Sequence, residues 1–303
     1  MTTDVWQLQA YLDERIQLID SALDRYLPAI DSLPARLHDA MRYSVFAGGK
    51  RIRPILLLAA CEAVGGQLSN ALPAACALEM IHSYSLIHDD LPAMDDDDFR
   101  RGQPTNHKVY GEATAILAGD GLLTEAFILL SNPAVWEKDS ANTNRVLEVI
   151  HILARNSGSR GMVGGQVVDM ESEEKSIDLP TLEYIHTHKT GALILAAVEI
   201  GAIIGGASEE QRRALRHYGE AAGLAFQVAD DILDIVADPA KLGKDVGSDQ
   251  QRGKATYPAL LGLNEARERT HELKRIALAS LDIFDETARP LREIASYIVD
   301  RSF

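Results

Sequence analysis

Apolar residues recur at the spacing of an α-helix along almost the whole chain. Near the N-terminus they fall on every third or fourth position, at Leu8, Leu12, Ile16, Ile19 and Leu23, and so share one helix face. The same spacing predicts further helices over 34–47, 54–64, 70–90, 111–131, 141–157, 190–205, 208–237, 256–279 and 285–301. Prolines and glycine pairs separate these runs, and no convincing strand alternation occurs. The pattern therefore predicts an all-α fold of roughly ten or more helices.

No linker-like or low-complexity segment divides the 303 residues, so we expect a single domain over residues 1–303. A hydrophobic content of 46% is enough for a large buried core. The longest apolar run, 192–207, contains Glu199 and is shorter than the roughly 20 residues of a membrane span. The N-terminus also lacks a basic start and an apolar signal core. We therefore expect a cytoplasmic protein without stable membrane insertion.

The net charge of −15 argues against nucleic acid as a partner, because contact with a phosphate backbone needs a basic surface. It does not argue against a small phosphorylated ligand that meets a local group of cations. The two cysteines, Cys61 and Cys76, lie in apolar helical context, where buried and reduced thiols are the usual outcome.

Acidic segments end two of the predicted helices. In "DDILD" (230–234), Asp230 and Asp234 are four residues apart and share a helix face, with Asp231 beside them. An exposed acidic face is one explanation, but the flanking sequence is apolar. A buried carboxylate cluster needs a counter-charge, and hard oxygen ligands without cysteine suit Mg²⁺.

The other acidic segment, "DDLPAMD" (89–95), lacks this helical spacing. Pro92 ends the regular helix, so Asp95 must loop back over the helix end to approach Asp89. A charged surface loop would explain this segment alone. Two such segments on apolar helices favour a shared role in binding metal.

Basic residues accompany both acidic segments. Lys50 and Arg53 lie in "GGKRIRP", which lacks the spacing of a P-loop, and Arg100 and Arg101 follow the first acidic segment. The second segment is accompanied by Lys189, Thr190, Lys244 and Lys254. Any one of these lysines could be an ordinary surface residue. Their recurrence beside carboxylates indicates a site where Mg²⁺ and cationic side chains bind a diphosphate.

Seven segments in order resemble the short-chain trans-prenyltransferases (polyprenyl synthases), most closely the bacterial farnesyl diphosphate synthases. They are "GGKRIRP", "HSYSLIHDDLPAMDDDDFRRGQPT", "GDGLLTEAF", "GMVGGQVVDM", "HKTGALI", "FQVADDILD" and "GKDVGSDQQRGKATYPALLG". The resemblance covers nearly the whole chain. It implies a single-domain helical bundle of the isoprenoid synthase type with a central substrate cavity, and a homodimer.

The resemblance also assigns roles to residues. Three Mg²⁺ ions would bind, with the allylic diphosphate, to two aspartate motifs: Asp89, Asp90 and Asp95, and Asp230, Asp231 and Asp234. The other contacts of the allylic substrate would be Arg100, Lys189, Thr190, Gln227, Lys244 and Lys254. Isopentenyl diphosphate would bind, without metal, to Lys50, Arg53, His82 and Arg101. Gln166 and Asp169 match the family's "GGQxxD" stretch and would have supporting roles.

The implied reaction is head-to-tail condensation of allylic diphosphates with isopentenyl diphosphate, and Asp89, Asp95, Lys189 and Asp230 would act in catalysis. In this family the residue five before the first motif forms the floor of the product cavity. Here it is Tyr84, whose bulk favours a fifteen-carbon product, although Ser85 lies more nearly beneath Asp89 by helical phase. The alternative explanation is that Tyr84 is an ordinary core residue. Geranyl and geranylgeranyl diphosphate remain alternative products.

Two other classes fit less well. A class I terpene cyclase shares the all-α fold and a first aspartate motif, but usually carries an Asn/Asp–Ser/Thr–Glu second motif instead of "DDILD". It also has no use for Lys50, Arg53 and His82. A non-catalytic partner subunit would not need two complete acidic motifs together with every basic contact.

Overall fold

The computed structural model describes residues 7–136, 140–173, 175–236 and 255–300. Its helices confirm the predicted all-α class. In chain order they are α1 (Leu8–Tyr26), α2 (Ala35–Val45), α3 (Ile52–Ala63), α4 (Leu68–Asp89), α5 (Asn106–Tyr110), α6 (Glu112–Ser131), α7 (Ser140–Ser157), α8 (Met162–Ser172), α9 (Leu179–Ile185), α10 (Ala192–Gly205), α11 (Glu209–Val236), α12 (Tyr257–Leu261), α13 (Leu263–Ala279) and α14 (Arg289–Asp300).

Shorter elements connect these helices. A π-helical turn, His186–Gly191, joins α9 directly to α10, and 3₁₀ turns occupy Pro133–Val135 and Glu286–Ala288. Two short strands, β1 (Phe99–Arg100) and β2 (Gln103–Pro104), pair antiparallel with Phe99 opposite Pro104. This hairpin is too short to give a strand signal in the sequence.

The observed helices differ from the predicted runs in four places. Helices α5, α8 and α9 lie outside every predicted run, because α8 is rich in glycine and α5 and α9 have only five and seven residues. The start of α9 is stabilised by Asp178, whose side chain accepts a hydrogen bond from the Thr181 N–H at 3.0 Å. The predicted run 256–279 is divided into α12 and α13 at Gly262.

Contacts within the chain define two compact units. The first consists of Met1–Ile55 and Ser69–Ile150, and the second of Leu56–Leu68 and His151–Phe303. The expectation of a single domain over residues 1–303 stays a prediction. The aspartate motifs fall one in each unit, so each is described with its own surroundings.

The first unit contains the largely apolar helix α4. Every residue from 71 to 81 is buried, and the burial continues at Ser83, Tyr84 and Ile87. A helix that is apolar on all sides belongs in a protein core. The acidic segment therefore begins at the end of a largely buried helix, which positions Asp89.

The second unit contains α10 and α11, which pack on one another and on the π turn. Helix α10 is buried over most of its length, whereas α11 has one buried face and one exposed face. The phenol of Tyr218 on α11 donates a hydrogen bond to the Leu291 carbonyl of α14 at 2.8 Å. Contacts with α10, the π turn and α14 therefore hold α11 in place, and this positions its aspartates.

Among the residues that the structure describes, two segments are long and apolar enough to cross a membrane by length and composition alone. In Leu179–Gly205, 67% of the apolar window is buried inside the protein, as in a core helix. In Glu112–Ser131, which is α6, the buried share is only 39%, so an apolar face of α6 is left exposed.

Candidate active site

The first acidic segment folds back over the end of α4, as Pro92 predicts. The N–H of Asp95 donates to the carbonyl oxygen of Asp89 at 2.8 Å, and the N–H of Asp96 donates to that of Leu91 at 3.1 Å. Asp96 has a left-handed φ of 51°, which closes the turn. Two carboxylates six residues apart are thereby brought to the same helix end.

Asp90, between them in the motif, is bound by Arg100. It is 3% exposed, and the Nε of Arg100 donates to its Oδ1 at 2.6 Å. Burial raises the pKa of Asp90 above its ordinary value, although the Arg100 guanidinium acts in the opposite direction. Arg100 also contacts Asp97 at 3.2 Å. Asp90 and Arg100, both predicted site residues, are therefore paired with each other.

The loop that carries these residues is anchored to α2. The side-chain amide of Asn106 donates to the Ala40 carbonyl at 2.8 Å, and the Tyr43 phenol donates to the Pro104 carbonyl at 2.8 Å. Asn106 is 2% exposed. Neither anchor was predicted from the sequence. For Asn106 the available signal was its closeness to the arginines of "FRRGQPTNH".

A cationic cluster lies within the first unit, near the start of α3. Arg53 donates from Nη1 to the Nε2 of His82 at 3.2 Å. Burial and then the charges of Arg53, Arg101 and other arginines hold the pKa of His82 well below its ordinary value. The imidazole is therefore neutral and accepts the hydrogen bond, and the positive charge stays on the arginines.

Arg101 and Lys50 complete this cluster. The Nη1 of Arg101 donates to the carbonyl of Gly48, and burial lowers the arginine's pKa below its ordinary value. A Cβ added at Gly49 would lie 2.5 Å from the Arg101 guanidinium carbon, so only glycine leaves room for this approach. Lys50 is exposed. Arg101 is also exposed, and Arg53 is partly exposed. Cations grouped in this way suit an anion such as a diphosphate.

Arg51 lies in the same loop and is a buried structural residue, which was not predicted from the sequence. It is 3% exposed, has a left-handed φ of 48°, and forms ion pairs with Glu79 at 2.7 Å and Asp20 at 2.9 Å. Burial disfavours its charge, but the two carboxylates outweigh burial and raise the pKa of Arg51. The isolated acid Glu79 in the otherwise apolar part of α4 was the signal for a buried partner.

In the second unit, Asp231 of α11 is the buried member of its motif. Its carboxylate accepts hydrogen bonds from His186 Nε2 at 2.8 Å, the Tyr257 N–H at 3.0 Å and Gln227 Nε2 at 3.3 Å. At 3% exposure it is satisfied by these protein donors. The other members of the motif, Asp230 and Asp234, are partly exposed.

The π turn carries Lys189 and Thr190. The Lys189 ammonium contacts Asp169 of α8 at 2.7 Å, and the Thr190 hydroxyl donates to the Gln227 Oε1 at 2.8 Å. Local π turns inside helices often occur at functional sites. In α8, Gln166 has a buried Nε2 with no hydrogen-bond partner, which is compatible with its predicted supporting role.

The predicted chain-length residues occupy the last turns of α4. Tyr84 is 7% exposed, and burial, followed by the charge of Asp89, raises its pKa to about 12. Ser85 is partly exposed, and its hydroxyl donates to the His82 carbonyl of its own helix at 2.8 Å. Two other predicted contacts, Lys244 and Lys254, lie outside the described residues.

The donor chemistry of both motifs fits Mg²⁺, which prefers oxygen ligands and usually keeps water or substrate oxygens in its shell. Asp89 and Asp95 lie at one helix end, and Asp230 and Asp234 are one turn apart on α11. Within the described ranges, no group of three or more acidic, His or Cys side chains forms a ready metal cage. Each motif therefore suits an ion whose remaining ligands come from a bound diphosphate.

Comparison with known proteins agrees with this chemistry. The family model described as polyprenyl synthetase matches residues 34–284. The chain is 53% identical to the farnesyl diphosphate synthase of Geobacillus stearothermophilus over 262 residues, or 86% of this chain and 87% of the relative. It is 47% identical to the geranylgeranyl diphosphate synthase of Cyanophora paradoxa over 298 residues, which cover 98% and 97%. A solved FPP/GFPP synthase from Zymomonas mobilis superimposes with a TM-score of 0.85 at 41% identity, covering 96% and 98%.

Proposed function

Because the chain belongs to the polyprenyl synthetase family, we propose that it condenses dimethylallyl and geranyl diphosphates with isopentenyl diphosphate, head to tail, to give farnesyl diphosphate. The observation that carries this proposal is the cationic cluster of Arg53, His82 and Arg101 in the same unit as the folded-back aspartate motif. A terpene cyclase has no second diphosphate to bind and no use for that cluster.

The reaction requires one C–O bond to break and one C–C bond to form. The allylic diphosphate leaves with the electron pair of its C–O bond, and the isopentenyl double bond attacks the resulting allylic cation. A proton is then lost, and the released diphosphate is the acceptor that we propose. Asp89 and Asp95 in the first unit, and Asp230 and Asp234 in the second, would hold Mg²⁺, which would supply Lewis-acid stabilisation of the leaving charge.

The chain's own residues bind and shield the reactants. Lys189 and Thr190 are proposed to bind the allylic diphosphate, and Arg53, Arg101 and Lys50 that of isopentenyl diphosphate. The neutral imidazole of His82 orients Arg53 without adding charge. Apolar helix walls of the kind that α4 provides would keep water from the cation.

Tyr84 supports a fifteen-carbon product. Its ring is bulky and 7% exposed, one turn and a residue before Asp89. The alternative is geranylgeranyl diphosphate, which is the product named for the C. paradoxa relative. The named relatives include synthases of both farnesyl and geranylgeranyl diphosphate. We prefer farnesyl diphosphate because residue 84 is a buried tyrosine.

The proposal is tested by incubating the protein with Mg²⁺ and dimethylallyl and isopentenyl diphosphates, followed by chromatography of the dephosphorylated products. We expect farnesol. Tyr84→Ala should lengthen the product to twenty carbons or more, because removal of the ring deepens the cavity, whereas Tyr84→Phe keeps the ring and should retain farnesol. No elongated product would contradict prenyl transfer, and an unchanged product from Tyr84→Ala would contradict the floor role.

We also propose that the protein is a homodimer. The outer face of α6 exposes Ile116 (44%), Leu117 (56%) and Ile128 (52%), and contact with a second copy would cover these side chains. Leu117→Glu should then convert a dimer to a monomer in sedimentation velocity. A monomeric wild-type protein would rule out this arrangement.

A further inference from the structure

His88 connects α4 to α6. Its Nε2 lies 3.0 Å from the carbonyl oxygen of Ile116, and since a carbonyl only accepts, Nε2 carries the proton and donates. The same ring meets Tyr84, one turn earlier on α4, edge to face, with ring centroids 5.8 Å apart and an interplanar angle of 77°. His88 therefore contacts both the proposed floor residue and a neighbouring helix.

A notch in α6 accommodates the imidazole. A Cβ added at Gly119 would lie 2.1 Å from the Nε2 of His88 and 2.5 and 2.8 Å from two of its ring carbons. Contacts that short do not occur, so any larger residue at position 119 would expel the ring. Gly119 is itself buried, which leaves the ring no nearby alternative on that side.

These two contacts restrict the motion of Tyr84. An edge-to-face neighbour favours one orientation of an aromatic ring. His88 cannot move away without breaking its hydrogen bond to Ile116. His88 therefore restrains the ring of Tyr84. A restrained ring is a better barrier to a growing chain than a mobile one.

We propose that His88, seated in the notch at Gly119, is a specificity-determining residue that limits product length by supporting Tyr84. The inference rests on the proposed prenyl transfer and concerns the length of the product, not whether transfer occurs. No change in the diphosphate-binding residues is involved.

The test measures the ratio of twenty-carbon to fifteen-carbon products for Gly119→Ala and His88→Ala, each at fixed substrate concentrations. Both variants should raise this ratio roughly fivefold or more, the factor that corresponds to loss of one edge-to-face contact. The double variant should match His88→Ala alone, because the added methyl then occupies the space left by the imidazole. This variant also decides the question if Gly119→Ala alone folds poorly.

Gly121→Ala is the matched control. It lies on the same helix, but the nearest atoms to its added Cβ belong to the flexible side chain of Met41, with Sδ at 3.0 Å, and not to His88. It should keep the wild-type ratio. Unchanged ratios for both His88→Ala and Gly119→Ala, or additive shifts in the double variant, would overturn the inference. A wild-type protein without any elongated product would instead contradict the proposed function.

Discussion

Gly49→Ala should impair isopentenyl diphosphate binding by displacing the guanidinium of Arg101, while every side chain proposed to contact that substrate is kept. The added methyl would lie 2.5 to 2.7 Å from three atoms of the Arg101 guanidinium, so the guanidinium must move. Its hydrogen bond to the Gly48 carbonyl is then lost, and the positive charge leaves the cationic cluster.

The expected loss of affinity for isopentenyl diphosphate is that of one hydrogen bond made by the charged Arg101 guanidinium. A hydrogen bond to a charged group contributes about 1.5–3 kcal/mol, which corresponds to a loss of roughly 10- to 100-fold in affinity. Gly49 also has φ at 129°, a conformation that alanine rarely adopts, so a further cost of about 1–3 kcal/mol in unfolding free energy is expected.

Gly48→Ala separates these two effects. Gly48 also has a left-handed φ, at 91°, but an added Cβ there meets no atom within 4 Å. Both variants should lose stability in urea denaturation, and only Gly49→Ala should weaken isopentenyl diphosphate binding in titration calorimetry without Mg²⁺. The Michaelis constant for the allylic substrate should stay unchanged. Equal affinities of the two variants for isopentenyl diphosphate would refute the placement of Arg101 in this site.

Three further predictions concern single side chains. Asp230→Ala should lower turnover at saturating Mg²⁺ by roughly 10²–10³-fold with the fold retained, since it removes a proposed metal ligand and relieves repulsion from Asp234; turnover within a few-fold of wild type would contradict the assignment. Arg53→Ala should mainly raise the Michaelis constant for isopentenyl diphosphate, and Lys189→Ala that for the allylic substrate; equal or reversed effects would mean that the two sites are wrongly assigned. His82→Gln should reduce the loss of stability in acid. Because the folded pKa of His82 is lowered, the unfolded chain gains a proton first as pH falls below about 6.5, at a cost of up to about 1.4 kcal/mol per pH unit. Urea unfolding at pH 7 and pH 5 would show whether wild type loses more than the variant.

The long helices were predictable because their apolar spacing is strong and their ends are marked. The run 70–90 corresponds to α4 (Leu68–Asp89), and 208–237 to α11 (Glu209–Val236). The π turn was not predictable, since its hydrogen-bond register leaves no compositional signal in "HTHKTG". Short elements such as α9 failed for a related reason, because seven residues contain too few apolar repeats.

The candidate site was also predictable only in part. The return of Asp95 to Asp89 followed from Pro92 alone, because a proline that ends a helix leaves few paths for the next residues. The partners of Asp231 could not be inferred, since His186 and Tyr257 are 45 and 26 residues away in the chain. Only tertiary packing brings such donors to one carboxylate.

Because α9 and α10 are joined by a π turn, the position of Lys189 depends on the number of residues in this segment. A π turn holds one residue more than an α turn, and each residue of an α-helix rotates the chain by about 100°. Deleting Thr187 would let α9 continue into α10 as an ordinary helix, and Lys189 would lose the backbone position from which its ammonium contacts Asp169. Chimeras that exchange this segment with relatives must therefore conserve its length as well as its lysine.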